Sequence, residues 1–282
     1  MSDSRSPDWV PLDALVASLG GVARQKDLLG QGVSTRQIRA AVEGGLIFQR
    51  ARGVYATFQA TPEDAFLAAH QARRTCLSRV AGLGLWVLEQ PKQLHVAAAH
   101  GRPVPGCVVH RVSGKQTLAD VLQQCVRCGT EVEALAVLES AVVKKQCSIN
   151  YLRNSFQGRA GAAARAIVEM IDPQSMSIAE TCSRYHLRRA GYNVQGQAYV
   201  RNAGHLDLLI DGILGLEIDG EKYHNDPRAW KEDLQRDTMY VLEGMWRLRI
   251  PADVALYHPE VLLAWVEQAL ARIRSGQRHE MR

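Results

Sequence analysis

The chain has 282 residues, of which 46% are hydrophobic and 22% are charged. This composition is ordinary for a soluble globular protein with two modest domains, and it excludes a disordered or fibrous protein. No apolar run reaches the roughly 18 residues of a membrane span, and residues 1–9 lack the apolar core of a signal peptide. We therefore expect a cytoplasmic protein with no membrane partner. The net charge of +5 favours a polyanionic partner.

Residues 1–60 predict a winged helix-turn-helix domain. "DALVASLGG" and "ARQKDLLGQG" are typical of short helices that end at glycines, and "STRQIRAAVEGG" predicts a third helix capped by Ser34 and Thr35. "LIFQRARGVYATF" contains two β-type runs around Arg52 and Gly53, which predict a hairpin. Helices joined by tight turns and followed by a hairpin form this motif.

The third helix and the hairpin are expected to present a basic surface. Its residues are Thr35, Arg36, Gln37 and Arg39 on the helix, and Arg50 and Arg52 on the wing. Arginine and glutamine bind both base edges and phosphates, so this surface is suited to double-stranded DNA. The alternative is a three-helix packing module with solvated arginines. We favour DNA binding because the cap, the helix length, the basic face and the basic wing coincide.

Residues 61–170 predict a mainly helical middle domain with a short β-hairpin. "TPEDAFLAAHQARR" starts a capped helix at a proline, and "QLHVAAAHGRPVPGCVVHRV" predicts two strands around a Gly/Pro turn. We interpret His95, His100 and His110 as surface or phosphate-contacting residues rather than metal ligands.

The six cysteines are most simply reduced thiols in an intracellular chain. Only Cys125 and Cys128 have the C-x-x-C spacing of a metal pair, which Cys107 and Cys147 could complete as a zinc site. We favour ordinary packing, because the pair lies in a stretch with helical periodicity and no second close pair exists.

The stretch "HLDLLIDGILGLEIDGEKYH", residues 205–224, predicts two strands that carry Asp207, Glu217 and Asp219. The first strand places Leu206, Leu208 and Ile210 on one side. The second places Leu214, Leu216 and Ile218 on one side. These apolar faces coincide only if Ile210 opposes Leu214, or if an equivalent bulge corrects the register, whereas a two-residue Asp-Gly turn would mix apolar and acidic residues.

In that register Asp207 lies opposite Glu217, with Cβ atoms about 4.5 to 5.5 Å apart. Carboxylates this close repel each other, and their burial without a partner is costly. A shared Mg²⁺ or Mn²⁺ ion would remove the repulsion and activate water towards a phosphodiester. The alternative is a solvent-facing edge whose acids pair with arginine or lysine.

Residues 171–282 predict a mixed α/β domain. A helix capped by Ser177 carries Glu180, whose alternative role is to complete a capping box. After the hairpin, Asp226 and Pro227 begin another helix, "WRLRI" is a strand, and "HPEVLLAWVEQALARI" is a final helix. This order predicts a mixed sheet flanked by helices.

Residues 177–254 resemble the PD-(D/E)XK, or restriction-endonuclease-like, fold, and more narrowly the nucleases similar to very-short-patch-repair (Vsr) endonucleases. The motif consists of Glu180, Asp207, Glu217, Asp219, Gly220, His224, Asp233, Arg236 and Asp237, followed by "MWRLRI". Asp219 replaces the usual lysine of the E-x-K motif, as in the Vsr-like branch, and Lys222 is a nearby substitute.

The resemblance implies a divalent-metal-dependent DNA endonuclease. By this resemblance Asp207 and Glu217 bind the metal, and Glu180 and Asp219 support the metal or the water. His224 protonates the leaving group or positions the attacking water.

The stretch "ARQKDLLGQGVSTRQIRAAVEGGLIFQRARGVYA" resembles the winged-helix N-terminus of AbiEi-type antitoxins and related transcription regulators. This resemblance implies DNA as a partner, with a toxin or defence protein as a further partner. Two functions stay open. We favour a DNA endonuclease targeted by the winged helix over a repressor or antitoxin-like regulator that uses the nuclease-like domain only for binding. A protein with protein partners alone would leave the basic surface unexplained.

Overall fold

A computed structural model of the protein describes residues 11–220 and 227–280, without the side chains of residues 160, 227–230, 232, 233 and 277–280. Over these described residues the fold is mixed α/β with three small sheets. The chain divides into a first unit, Met1–Ser78 with Pro91–Gln116, and a second unit, Arg79–Gln90 with Thr117–Arg282. Residues 61–170 thus fall into both units. Within the described ranges, no helix combines the length and apolar character that crossing a membrane requires.

The first unit begins with helices and a small antiparallel sheet. Its elements are α1 (Leu12–Ser18), β1 (Val22–Arg24), α2 (Gln25–Gly30), α3 (Thr35–Glu43), β2 (Phe48–Ala51) and β3 (Val54–Ala56). The sheet order is β1-β3-β2. Gly53, with φ of +68°, forms the tight turn between β2 and β3. The three predicted helices and the hairpin are confirmed, and β1 is an addition that the sequence pattern did not indicate.

The remainder of the first unit contains one helix and a second sheet. Its elements are α4 (Pro62–Ala69), β4 (Ala72–Arg74), β5 (Leu94–Ala98) and β6 (Cys107–Arg111), with sheet order β4-β5-β6. Thr61 caps α4 and Pro62 is its first residue, as predicted. Leu67, Val96 and Val104 form the core beneath the sheet.

The predicted hairpin of this region is wrong, although both of its strands exist. β5 and β6 are parallel, with Leu94 opposite Cys107 and Ala98 opposite Arg111. Residues 99–106 lead the chain back to the starting end of β5 instead of reversing it, and β4 pairs antiparallel on the other side. A Gly/Pro-rich link signals a turn, but its composition does not distinguish a reversal from a short return crossing.

Helices dominate the sequence that leads to the third sheet. They are α5 (Leu77–Val80), which spans the sequence boundary of the units, α6 (Leu118–Cys128), α7 (Glu131–Val143), α8 (Ile149–Ser155) and α9 (Ala162–Val168). The α7 helix is buried along most of its length, from Ala134 to Ala141.

The last part of the second unit is a mixed sheet with helices. Its elements are α10 (Ile178–Arg189), β7 (Val194–Val200), β8 (Gly204–Ile210), β9 (Leu214–Asp219), α11 (Pro227–Leu242), β10 (Trp246–Pro251), α12 (Ala252–Tyr257) and α13 (Pro259–Glu280). The order is β10-β9-β8-β7, and only the β10–β9 pair is parallel. Leu208, Ile210 and Leu214 form a core with Leu262 and Val266 of α13.

The predicted register of β8 and β9 is confirmed. Ile210 lies opposite Leu214, and Leu208 lies opposite Leu216. The three-residue loop uses left-handed backbone at Asp211 and Gly212, with φ of +52° and +69°. Continuing this register brings Asp207 next to Glu217, as the apolar pattern requires.

Leu206 departs from the predicted face. It packs in a separate cluster with Val200, Ala203 and Tyr240 instead of with Leu208 and Ile210. The β7–β8 ladder is interrupted beside Asp207, where Gln197 has a φ of +47°. The alternation of side chains between the two faces of β8 is therefore broken at Asp207. The irregularity in the β7–β8 ladder places Leu206 on the opposite face of the sheet from Leu208.

Candidate functional sites

Four acids, which we call the acidic cluster, come together from α10, β8 and β9. They are Glu180, Asp207, Glu217 and Asp219. Burial raises the pKa of Glu180, Asp207 and Glu217, and repulsion from the Asp207 charge adds to the rise at both glutamates. The sequence thus identified side chains that influence one another electrostatically in the folded chain.

Glu180 and Asp207 are held by N–H donors. The Asp207 carboxylate accepts a hydrogen bond from the Ile218 backbone N–H at 2.8 Å. Glu180 accepts from the Met176 N–H at 3.0 Å and from the Gln197 side-chain amide at 2.9 Å. Ser177 caps α10 by accepting the Glu180 N–H at 3.1 Å. In a capping box the Glu180 carboxylate would accept the Ser177 N–H, but it accepts the Met176 N–H instead. The capping box given as the alternative role of Glu180 therefore does not form.

Glu217 and Asp219 are paired with arginines. Glu217 accepts from Arg236 at 3.2 Å and from Arg247 at 3.1 Å. Both carboxylate oxygens of Asp219 face Arg249, with the closest contact at 2.5 Å. Glu217 and Asp219 are thus neutralised by arginines. This is the arrangement that the sequence analysis gave as the alternative to metal binding.

The acidic cluster offers the oxygen ligands that Mg²⁺ prefers, but in the described part of the chain its carboxylate oxygens are not close enough together to form a metal site of three ligands. Among the described residues, no three of these acids have oxygens within 4.8 Å of one another. A cation shared by Asp207 and Glu217 would compete with Arg236 and Arg247 for the carboxylate oxygens of Glu217. His224, Lys222 and Asp226 lie outside the described residues, as does the side chain of Asp233.

The basic surface predicted in the first unit is exposed. Thr35, Arg36, Gln37, Arg39, Arg50 and Arg52 are all solvent-accessible. Gln37 also has a structural role, because its side-chain oxygen accepts the Ser34 N–H at 2.8 Å and completes a capping box at the start of α3. The guanidinium of Arg50 lies 5.5 Å from the centre of the Phe48 ring. The expected surface therefore exists, with Gln37 and Arg50 engaged by their neighbours.

A second group of potential ligands lies in the first unit and was missed. We call Cys76, His95 and His110 the Cys/His group, since their ligand atoms all lie within 4.8 Å of one another. His95 Nδ1 and His110 Nε2 are 3.2 Å apart. The expectation that His95 is a surface residue is wrong, because only 8% of it is exposed.

The parallel pairing of β5 and β6 explains why this group was missed. His95 is opposite Val108, so His95 and His110 lie on one face of the sheet, two residues apart in register. Cys76 joins them only because β4 pairs with β5 on the other side. The sequence signal was one histidine in each of two predicted strands. Whether the two side chains meet depends on the relative direction of the strands, which the sequence pattern does not give.

Searches with protein-family models and among curated proteins found no match to this chain. The resemblances to Vsr-like nucleases and to AbiEi-type regulators therefore stay predictions that depend on the residues themselves.

Proposed function

We propose that the protein binds double-stranded DNA through a winged helix-turn-helix in the first unit. The second unit then acts as a restriction-endonuclease-like, metal-dependent endonuclease in the cytoplasm. The observation that carries the enzymatic part is the meeting of Glu180, Asp207 and Glu217 from three separate elements, where burial raises the pKa of each carboxyl group. Perturbed titratable groups that meet from separate elements are characteristic of functional sites.

The exposed arginines support the DNA-binding part. Arg36 and Arg39 lie on the outer side of α3, while Ile38 and Ala41 are buried in the core. Guanidinium groups that are accessible to solvent bind phosphate oxygens or guanine edges without first breaking a buried contact. The order of three helices followed by a hairpin is that of a winged helix, whose third helix enters the major groove.

The acids support a hard divalent cation, Mg²⁺ or Mn²⁺. Carboxylates whose ionised form is disfavoured by burial and by mutual repulsion gain stability from a bound cation. When bound, the cation supplies a water of lowered pKa and neutralises charge on the phosphoryl oxygens. Arg236 and Arg247, which contact Glu217, would offer guanidinium groups to the phosphate beside the cation. Glu180 and Asp219 would support the metal or its bound water.

A transcriptional repressor or antitoxin-like regulator is the second candidate. The ion pairs of Glu217 with Arg236 and Arg247 favour it, since they neutralise a proposed ligand without any metal. In this case the second unit contributes binding alone, to DNA or to a toxin or defence protein, and the winged helix reads an operator.

A cleavage assay separates the two functions. Supercoiled and linear DNA are incubated with the protein in Mg²⁺, Mn²⁺ or EDTA, beside an Asp207→Ala/Glu217→Ala double variant. The endonuclease predicts metal-dependent cutting that the double variant loses. Asp211→Asn is the matched control, because Asp211 lies in the same hairpin but pairs with Arg274. Binding without cutting, equal for all three proteins in every condition, would favour the regulator.

A further inference from the structure

We propose that Cys76, His95 and His110 bind a zinc ion that joins the three strands of the first unit's second sheet. The ligands come from three segments, since Cys76 follows β4 while His95 and His110 lie on β5 and β6. A metal at this point would cross-link strands that are far apart in sequence.

The distances suit zinc. A tetrahedral ion with Zn–N bonds of about 2.0 to 2.1 Å places two ligand nitrogens about 3.3 to 3.4 Å apart. His95 Nδ1 and His110 Nε2 are separated by 3.2 Å. A Zn–S bond of about 2.3 Å puts sulfur about 3.6 Å from each nitrogen, which lies inside the 4.8 Å within which all three ligand atoms fall.

The chemical types of the ligand atoms also favour zinc. The group consists of one thiol and two imidazoles and contains no carboxylate. Sulfur and nitrogen ligands suit zinc, whereas Mg²⁺ requires oxygen ligands. This site therefore differs in chemistry from the acidic cluster, and its existence does not depend on the proposed nuclease activity.

The backbone holds Cys76 in an unusual conformation beside the histidines. Its φ is +49°, a left-handed value that is uncommon outside glycine and that persists where surrounding contacts enforce it. The neighbouring contacts are hydrogen bonds from the Thr75 N–H to the His95 oxygen at 2.9 Å and from the His95 N–H to the Ser78 hydroxyl at 2.8 Å. Cys76 is fully buried and His95 nearly so. The fold thus fixes the ligands before a metal arrives.

A hydrogen bond between the two imidazoles is the competing explanation for the short His95–His110 contact. In that case one ring donates an N–H to the other, and no metal is needed. The two explanations differ in whether the purified protein contains zinc and whether Cys76 is required for it.

Metal analysis provides the test. The full-length protein is purified without a histidine tag, dialysed against limiting zinc and analysed by elemental mass spectrometry. We expect one zinc per chain, and near-complete loss of zinc in each of Cys76→Ser, His95→Asn and His110→Asn. His100→Asn is the matched control, because His100 contacts the His70 backbone oxygen at 2.7 Å outside the Cys/His group, and it should keep the zinc. Zinc-free wild type, or variants that retain zinc, would overturn the proposal.

Wild-type protein supplies a second measurement that does not depend on the folding of a variant. Removal of zinc by a chelator should lower the Tm, and zinc should restore it. Cobalt replacement should then produce thiolate-to-metal charge-transfer absorption that disappears when zinc is added. An unchanged Tm together with the absence of this absorption would refute the site and leave the imidazole hydrogen bond as the explanation.

Discussion

Buried carboxylates in this protein are accommodated in two ways at the scale of single residues. Glu217 is paired with two arginines, whereas Asp207 receives one backbone N–H and is close enough to Glu180 and Glu217 to raise the pKa of both. A hydrogen bond from a backbone amide offsets only part of the cost of burying a charge. Because burial raises the pKa of Asp207, the ionisation of this carboxyl group opposes folding.

Replacement of Asp207 by asparagine should raise the Tm at neutral pH. The folded-state pKa of Asp207 is raised above its ordinary 3.8, so the folded chain binds this proton more tightly than the unfolded chain. Stability from this group is present below pH 3.8 and is lost as the pH rises through the raised folded pKa. The gain in Asp207→Asn should therefore appear above that range and vanish in acid, as measured by thermal unfolding in EDTA.

Asp211→Asn is the control for this measurement, since its carboxylate pairs with Arg274 at the other end of the hairpin. We expect no increase in Tm for the control at any pH. A decrease in the Tm of Asp207→Asn at neutral pH would show that the charge of Asp207 stabilises the fold, which contradicts the raised pKa.

At the scale of elements, α7 and α10 are joined through a buried charge pair. Glu139 and Arg184 form an ion pair and are each almost completely buried. Glu139 also accepts hydrogen bonds from the Asp172 N–H at 2.7 Å and from the Thr181 hydroxyl. A single carboxylate thus connects α10 with the segment that precedes it.

Glu139→Gln should destabilise the protein strongly. The amide keeps the shape of the side chain but removes the short ion pair, so that the buried Arg184 charge keeps only the longer contact with Asp172 at 3.9 Å. Breaking a buried ion pair typically costs about 3 to 5 kcal/mol. Denaturant unfolding measures the change. Glu169→Gln is the matched control, because Glu169 forms an exposed pair with Arg153, and its loss should leave the free energy of unfolding nearly unchanged. Similar decreases in the free energy of unfolding for both variants would mean that the buried pair contributes no more to stability than the exposed pair.

The β8–β9 register could be predicted because a period of two leaves a single pairing with a continuous apolar face. Leu206 could not be placed, since its direction depends on the irregularity beside Gln197, which the alternating pattern does not contain. The α3 cap could be predicted from Ser34 and the residues after it. Local patterns thus gave the helices and the hairpin.

Contacts between distant segments could not be predicted in this way. Arg236 and Arg247 come from α11 and β10, and neither sequence position indicates that it will neutralise Glu217. The Cys/His group likewise requires the parallel direction of β5 and β6. The acids of the acidic cluster could therefore be identified from the sequence, but the arginines that pair with them could not.

The α3 helix carries a prediction about DNA affinity. Arg36→Ala/Arg39→Ala should weaken binding to double-stranded DNA and lower the salt slope by about 2 if each arginine neutralises one phosphate. Fluorescence anisotropy at several salt concentrations measures both quantities. Arg201→Ala, at an exposed position in the second unit, is the control and should keep the slope. An unchanged slope for the double variant would remove α3 from the interface.

At the scale of the whole molecule, the net charge of +5 conceals two different uses of arginine. Arg36 and Arg39 are exposed on α3, whereas Arg247 and Arg249 form ion pairs with acids of the same chain. The α3 arginines contribute more to an attractive field for a polyanion, because paired charges largely cancel at a distance. A basic composition therefore says less about DNA binding than the placement of each guanidinium.

If the first unit supplies affinity and the second supplies chemistry, their variants should affect different kinetic constants. Arg36→Ala/Arg39→Ala should raise KM for DNA cleavage and leave kcat nearly unchanged, because contacts made equally in the ground and transition states alter KM alone. Asp207→Ala/Glu217→Ala should abolish kcat and keep the Kd for DNA measured in EDTA. Steady-state cleavage and anisotropy on the same preparations give these values. A large fall in kcat for the arginine variant would instead mean that α3 contacts help to form the catalytic arrangement.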